Sequence, residues 1–212
     1  MDTTTTWTKA EISRLGRLDT PMKVQLLLNN LEYDPVPGTR SPRWVMRERK
    51  ANCFEGALLA AAVLEHHGRP PLLVDLRAVN DDDHVVAVFK NNGLWGAVAK
   101  SNYTTLRYRE PVYRSVRELV MSYFDFYFNP LREKTLREYS RPMCLNRFDA
   151  DGWRTTDEDI SLIGDALNNV RHFRIIPPAR ARHLEPIDKD VFRAGMLGAN
   201  KAGLFKAKAK PK

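Results

Sequence analysis

Cysteine is scarce in this chain of 212 residues: there are two, Cys53 and Cys144, far apart and too few for a disulfide framework. No apolar stretch near the N-terminus has the form of a secretion signal, so a cytoplasmic, reducing compartment is expected. Long hydrophobic runs are also missing. Charged residues interrupt each one before the ~18 consecutive apolar residues a membrane span needs, so no membrane partner is expected. Acids are absent from the end of the chain, where Lys201, Lys206, Lys208, Lys210 and Lys212 carry much of the net charge of +8. Such a tail cannot bury apolar area, and the expectation is weak, non-specific contact with anions through it. No internal repeat is visible, and no low-complexity segment lies outside the tail.

What is present supports a folded body. Apolar residues make up 43% of the sequence, enough for one hydrophobic core. The division expected is a single α+β domain over residues 1–195, with helical elaborations at both ends, and a basic flexible tail over 196–212. Thr8 opens a short helix, and Thr20-Pro21 opens a second whose Val24, Leu26, Leu27, Leu28 and Leu31 mark it as a core helix. Ser41-Pro42 repeats the start signal for a short helix through Met46, which delivers the chain to Cys53. The run from Asn52 to Gly68 predicts a helix buried on most sides, with Gly68 and Pro70-Pro71 as its stop. The period then changes to strands over 72–79, 84–89 and 94–99, with Asn92-Gly93 as a two-residue hairpin turn. Further helices are expected over 115–124 and from Thr156 to about Val170.

Cys53 at the mouth of its helix and His84 at the start of a strand are the two halves of a thiol nucleophile. A sulfur among first-turn N–H groups sits where the helix dipole favours an anion, and this predicts a lowered thiol pKa. Acids at Asp81, Asp82 and Asp83 beside His84 predict a protonated imidazole. Hairpin register places His84 opposite Ser101; Asn102 has the better chemistry for orienting the ring but requires a bulge to reach it. Asn102 is taken as the third member of the site, with Ser101 the alternative, and Trp95 as a wall. A cysteine on an Ala-rich helix is also a common core filler, and a histidine after three acids is also a turn residue.

A helix-initial Cys53 followed by small and apolar residues, a Gly68 stop, an apolar strand, His84 opening a strand and Trp95 beyond it together resemble the transglutaminase-like cysteine proteins. The similarity covers about residues 41–103. The resemblance implies a papain-like core, with the nucleophile helix packed on a small antiparallel sheet. It also implies acyl transfer or amide hydrolysis through a cysteine thioester on a peptide or small amide substrate, with Cys53 as nucleophile and His84 as general base and acid and with no cofactor or metal. The family places an Asp about fifteen positions after the histidine, where this chain has Ala99. Loss of that carboxylate keeps open a catalytically silent module that binds or scaffolds.

Other patterns point elsewhere. Asp81-Asp82-Asp83-His84 alternates faces along an extended chain, which does not converge on a metal ion. Asp149 to Trp153 begins like a calcium loop, but Trp153 and Glu158 break the ligand spacing, leaving a turn. A third class of function, nucleic-acid association, rests on Arg107, Arg109, Arg114, Arg117, Arg132, Lys134, Arg137 and Arg141 interleaved with Tyr103, Tyr108, Tyr113 and Tyr123.

Overall fold

The computed structural model describes residues 6–36 and 38–206. The first half runs α1 (Lys9–Gly16), α2 (Pro21–Asn29), β1 (Glu32–Tyr33), α3 (Pro42–Glu48), β2 (Lys50–Ala51), α4 (Cys53–His66), β3 (Leu72–Ala78), β4 (His84–Asn91) and β5 (Leu94–Val98). A 3-10 turn at Thr104–Leu106 follows, then β6 (Arg109–Tyr113), α5 (Val116–Phe124), β7 (Leu136–Ser140) and β8 (Met143–Cys144). The rest comprises α6 (Ser161–Asn169), β9 (His172–Arg174), α7 (Pro178–Ala181), α8 (Lys189–Gly195) and a 3-10 turn at Lys201–Gly203.

One antiparallel sheet organises the chain, in the order β6-β5-β4-β3-β7-β9, with β8 also pairing β3. The expected meander is its centre: β3, β4 and β5 pair in sequence order, with Asn91 facing Leu94 across Asn92-Gly93. Both turn residues have positive φ, the requirement of a tight primed turn. Burial on both faces gives β4 six consecutive buried residues from its first position. Alternation sends Val85, Ala87 and Phe89 into a core shared with α1 to α4 and α6, and Val86 and Val88 into a second core built on α5, Tyr127 and Ile175. The protein is therefore α+β, with a helix packed on an antiparallel sheet, as expected. The sheet is wider than the three strands read from the sequence.

Helix α4 lies against the sheet on one side and against α1, α2 and α3 on the other. This explains its unbroken burial from Glu55 to Leu64: a helix apolar all round is one with partners all round. The C-terminal helix starts later than expected. Thr156 Oγ1 accepts from Glu158 N at 3.1 Å and Asp159 Oδ1 from Ser161 N at 2.9 Å, so local side-chain turns displace the first helical turn and α6 begins at Ser161. The calcium-loop-like segment, read as a turn, is the end of a 3-10 helix (Leu145–Asp151) followed by a turn at Gly152, with φ 60° there and Asp149 held by Arg154 at 2.9 Å.

The tail boundary needs correction. Residues 196–206, assigned to a flexible tail, continue from α8 and dock on the domain. Asn102 Nδ2 donates to the carbonyls of Asn200 (2.9 Å) and Gly203 (3.1 Å), and Asn102 Oδ1 accepts from Asn200 N at 2.7 Å. Gly203 permits this: a Cβ there would collide with the ring of Tyr33. Positions 207–212, with Lys208, Lys210 and Lys212, lie outside the described residues.

Candidate active site

The N-terminus of α4 is held by a charged network. Asn52 caps the helix, with its Oδ1 accepting from Glu55 N at 2.9 Å while Glu55 Oε2 accepts from Asn52 N at 3.1 Å. Glu55 is wholly buried and takes Arg40 Nε at 2.5 Å, and Arg40 reaches on to Asp34 at 2.8 Å. Three segments are thereby pinned around Cys53. Losing one partner of such a buried pair costs about 3–5 kcal/mol. Gly56, one turn into the helix, lets a neighbouring strand end approach: a methyl there would overlap Cβ of Lys100.

That strand end decides what surrounds the imidazole. The β4–β5 register matches the hairpin expectation but stops at Ala87↔Val98. Beyond it, the Gln25 side chain takes both ladder positions of Ala99, donating to its carbonyl at 2.9 Å and accepting from its N–H at 3.0 Å. Lys100 then turns inward, where its Nζ bonds the carbonyls of Leu28 (3.0 Å) and Leu31 (2.5 Å) at the end of α2. Burial pulls the Lys100 pKa down to about 8, with the Arg107 charge acting in the same direction. The chain has left the sheet before Ser101, so the expected pairing of Ser101 with His84 is not made.

Cys53, His84, Ser101 and Asn102 all line one cavity of about 250 Å³, together with Asp81, Asp82, Asp83, Tyr33, Tyr103 and Tyr127. Their hydrogen bonds differ from expectation. The His84 Nε2 pairs with the Leu106 carbonyl at 2.9 Å, whereas Asn102 is committed to the C-terminal segment and Ser101 Oγ accepts from Tyr103 N at 3.0 Å. Neither Asn102 nor Ser101 orients the ring, because the amide is saturated by Asn200 and Gly203 and the hydroxyl serves its own turn. A backbone carbonyl does so instead. Trp95 does not wall the cavity: it sits at the turn end of the hairpin beside Lys90, at the opposite end of β4 from His84.

The electrostatics also run against the dipole argument. The Cys53 residue is partly exposed, but its sulfur is enclosed, and burial pushes the thiol up to about 11. N–H groups of Val85 and Phe54 pull it down, and the charges of Asp82 and Asp75 push it up. A helix terminus contributes about 0.3–1 kcal/mol, less than the desolvation of a buried thiolate, so the neutral thiol wins. His84 moves the other way. Burial lowers its pKa to about 4; the Leu106 bond opposes this and the Arg109 charge reinforces it. The expected thiolate–imidazolium pair is thus a neutral thiol and a neutral imidazole. The two are not hydrogen-bonded to each other: the sulfur's partner is the Asp83 carbonyl at 3.9 Å. Parity along β4 gives His84 the same face as Val86 and Val88, whereas Cys53 opens α4, which packs on the other face, and both line the cavity at the end of the sheet.

The sequence reads the acids beside His84 as charges favouring an imidazolium, but it shows neither the hydrogen bonds they make nor the parts of Tyr127, Tyr103 and Leu106. Asp81 is raised by burial to about 7 and accepts from Thr135 Oγ1 at 2.6 Å, and Asp83 caps Ala78 N at 2.8 Å. Tyr127 Oη anchors the acidic turn through the Asp82 carbonyl at 2.7 Å. The Tyr103 hydroxyl is buried without a partner among the described residues and belongs to a cavity-lining ring. Leu106 carried no signal, since its contribution is a carbonyl. Elsewhere, the arginines read as a nucleic-acid surface are partly committed internally. Arg109 stacks on Tyr123 at 3.9 Å, Arg132 bonds the Ile187 carbonyl, and Lys134 pairs with Asp125 at 2.8 Å. Among the described residues no cluster of three or more His, Cys, Asp or Glu side chains is arranged to hold a metal, and no helix is long and apolar enough to cross a membrane.

No protein-family model matches this chain, and comparison with curated proteins finds no relative.

Proposed function

We propose that the cavity is a cysteine-dependent acyl-transfer site, with Cys53 as nucleophile and His84 as general base and then acid. The observation that carries the reading is the His84–Leu106 bond. A carbonyl only accepts, so Nε2 carries the proton, and with burial holding the ring pKa at about 4 the imidazole is neutral, which leaves Nδ1 unprotonated and able to accept a proton. A neutral pair works by concerted transfer: the sulfur bonds to the substrate carbonyl carbon while its proton passes to Nδ1. The imidazolium returns that proton to the leaving amine as the C–N bond breaks, giving a thioester. Water or a second amine then displaces the sulfur, which recovers its proton. The weak Sγ···Asp83 carbonyl contact must give as the sulfur turns to substrate. A helix-borne thiol set against an antiparallel sheet with a strand-initial histidine also agrees with a papain-like core of the transglutaminase type.

A second reading, a ligand-binding module without catalysis, draws on the raised thiol pKa and on the missing Cys53–His84 hydrogen bond. Acylation by p-nitrophenyl acetate separates the two. General-base transfer predicts a Cys53 acylation rate flat from about pH 5 to 10, since His84 is deprotonated above about 4, and a loss of about 10²–10⁴-fold in His84→Gln. A rate that climbs tenfold per pH unit towards 11 and ignores His84→Gln describes a bare buried thiol, and the acyl-transfer reading then falls.

A further inference from the structure

A cavity roomier than the one beside Cys53 lies elsewhere in the molecule. A cleft of about 410 Å³ opens where α1, the end of α2, α3 and α4 meet. Its floor is apolar, made by Leu27, Leu31, Met46 and neighbouring leucines, and its volume falls in the range of small-molecule sites. Every charged residue lining it is an arginine: Arg14, Arg17 and Arg49. None of the three guanidinium groups has a hydrogen-bond or ion-pair partner among the described residues. They come from different places, the last turn of α1, its C-cap and the C-cap of α3, and converge on one mouth.

Arg49 adds a separate observation. It ends α3 with φ 61° and ψ 27°, a left-handed position at which glycine or asparagine is the usual residue. Its N–H bonds the Val45 carbonyl, and its own carbonyl takes Glu32 N at 3.0 Å, so the backbone that carries this exposed side chain is fixed at the rim of the cleft.

We propose that this cleft binds an amphipathic monoanion, a medium-chain carboxylate whose tail lies on the leucine floor and whose head group is taken by the arginine fork. The sign of the rim selects against the chain's own lysine-rich end as occupant. Arginine suits a carboxylate in particular, because its planar donors match the two oxygens. The site is independent of the chemistry at Cys53.

The test is calorimetric titration of the full chain with decanoate below its micellar concentration. Decyltrimethylammonium supplies the same tail with the opposite head, and acetate supplies the head without the tail. Saturable 1:1 decanoate binding is expected, with both controls weaker by about tenfold or more. Arg17→Gln and Arg49→Gln, changes at exposed side chains, are each expected to weaken decanoate about tenfold, while Lys90→Gln, on the distant hairpin, leaves it unchanged. Equal binding of decyltrimethylammonium, arginine variants that bind like the parent, or no saturable decanoate binding would each overturn the proposal. Binding to anionic phosphatidylglycerol vesicles without binding of monomeric decanoate would overturn it as well, and would assign the arginines to a lipid surface.

Discussion

Two buried histidines stand on the same sheet, and they are tied in opposite ways. His172, opening β9, has both ring nitrogens engaged: Nδ1 meets the Val170 carbonyl at 2.7 Å and Nε2 meets Asp75 at 2.9 Å. His84, opening β4, has one partner, a carbonyl, and one nitrogen left over. The pair with a carboxylate looks more like a catalytic pair and is the less able to act, since a ring with no vacant nitrogen has nowhere to accept a proton. Chemistry here depends on what an imidazole leaves unbonded, not on how many partners it has collected.

Removing the carboxylate should break this contrast most visibly. Asp75 and His172 are only 4% and 6% exposed at their side chains, so Asp75→Ala leaves the Nε2 of a buried imidazole without its partner, with an expected loss of about 3–5 kcal/mol in urea unfolding. His84→Gln, whose amide can still donate to Leu106, should cost about 1 kcal/mol at pH 7. If Asp75→Ala also changes the pH profile of Cys53 acylation, the assignment of His172 as a purely structural tie is wrong.

The pH dependence of stability sharpens the comparison within the cavity itself. A base lowered to about 4 stabilises fully above its unfolded value of about 6.5, and that contribution is lost as pH falls towards 4. Asp81, an acid raised to about 7, acts in the opposite sense: its cost grows as pH rises from about 4 to 7. Between pH 7 and 4 the stability of the parent relative to His84→Gln should therefore fall by about 3 kcal/mol, turning an advantage of about 1 kcal/mol into a deficit of about 2, and its standing against Asp81→Asn should improve by about 3 kcal/mol. Parallel stability curves for parent and variants would mean that neither group is shifted by the fold.

The most local effect expected is at Asn102. Replacing it with alanine removes three hydrogen bonds to the C-terminal segment, worth about 1–2 kcal/mol in net local stability. Amide exchange over residues 196–206 should accelerate about tenfold or more, while a role in holding His84 predicts a loss of acylation as well. Accelerated exchange with unchanged acylation is the result that keeps Asn102 apart from the imidazole.

Much of the fold could be read because local rules and tertiary structure agree there. Ser41-Pro42 and Asn52 start helices as caps should, Asn92-Gly93 turns the hairpin, and the pairing of Asn91 with Leu94 follows from that turn. Cys53, His84, Ser101 and Asn102 line one cavity, but the hairpin register that pointed to Ser101 and Asn102 does not extend to them. What was hidden had long-range causes. Gln25, on a helix far away in sequence, ends the β4–β5 ladder; the Asn102 amide is claimed by Asn200; and burial, which no sequence position displays, reverses the direction of both the thiol and imidazole shifts.

The carbonyl that steadies His84 belongs to the peptide bond between Leu106 and Arg107, so no side-chain replacement deletes it. If the proposed acyl-transfer chemistry holds, an alanine scan across this region would find a nucleophile and a base but no orienting residue, and would score the third member of the site as missing. The relevant substitution is in the main chain: an ester in place of the amide at position 107 weakens that acceptor while leaving every side chain in place. Tuning of the ring by this protein is in the same way a matter of loop path, which places the adjustable part of the site in the geometry of residues 103–107 and not in their identities.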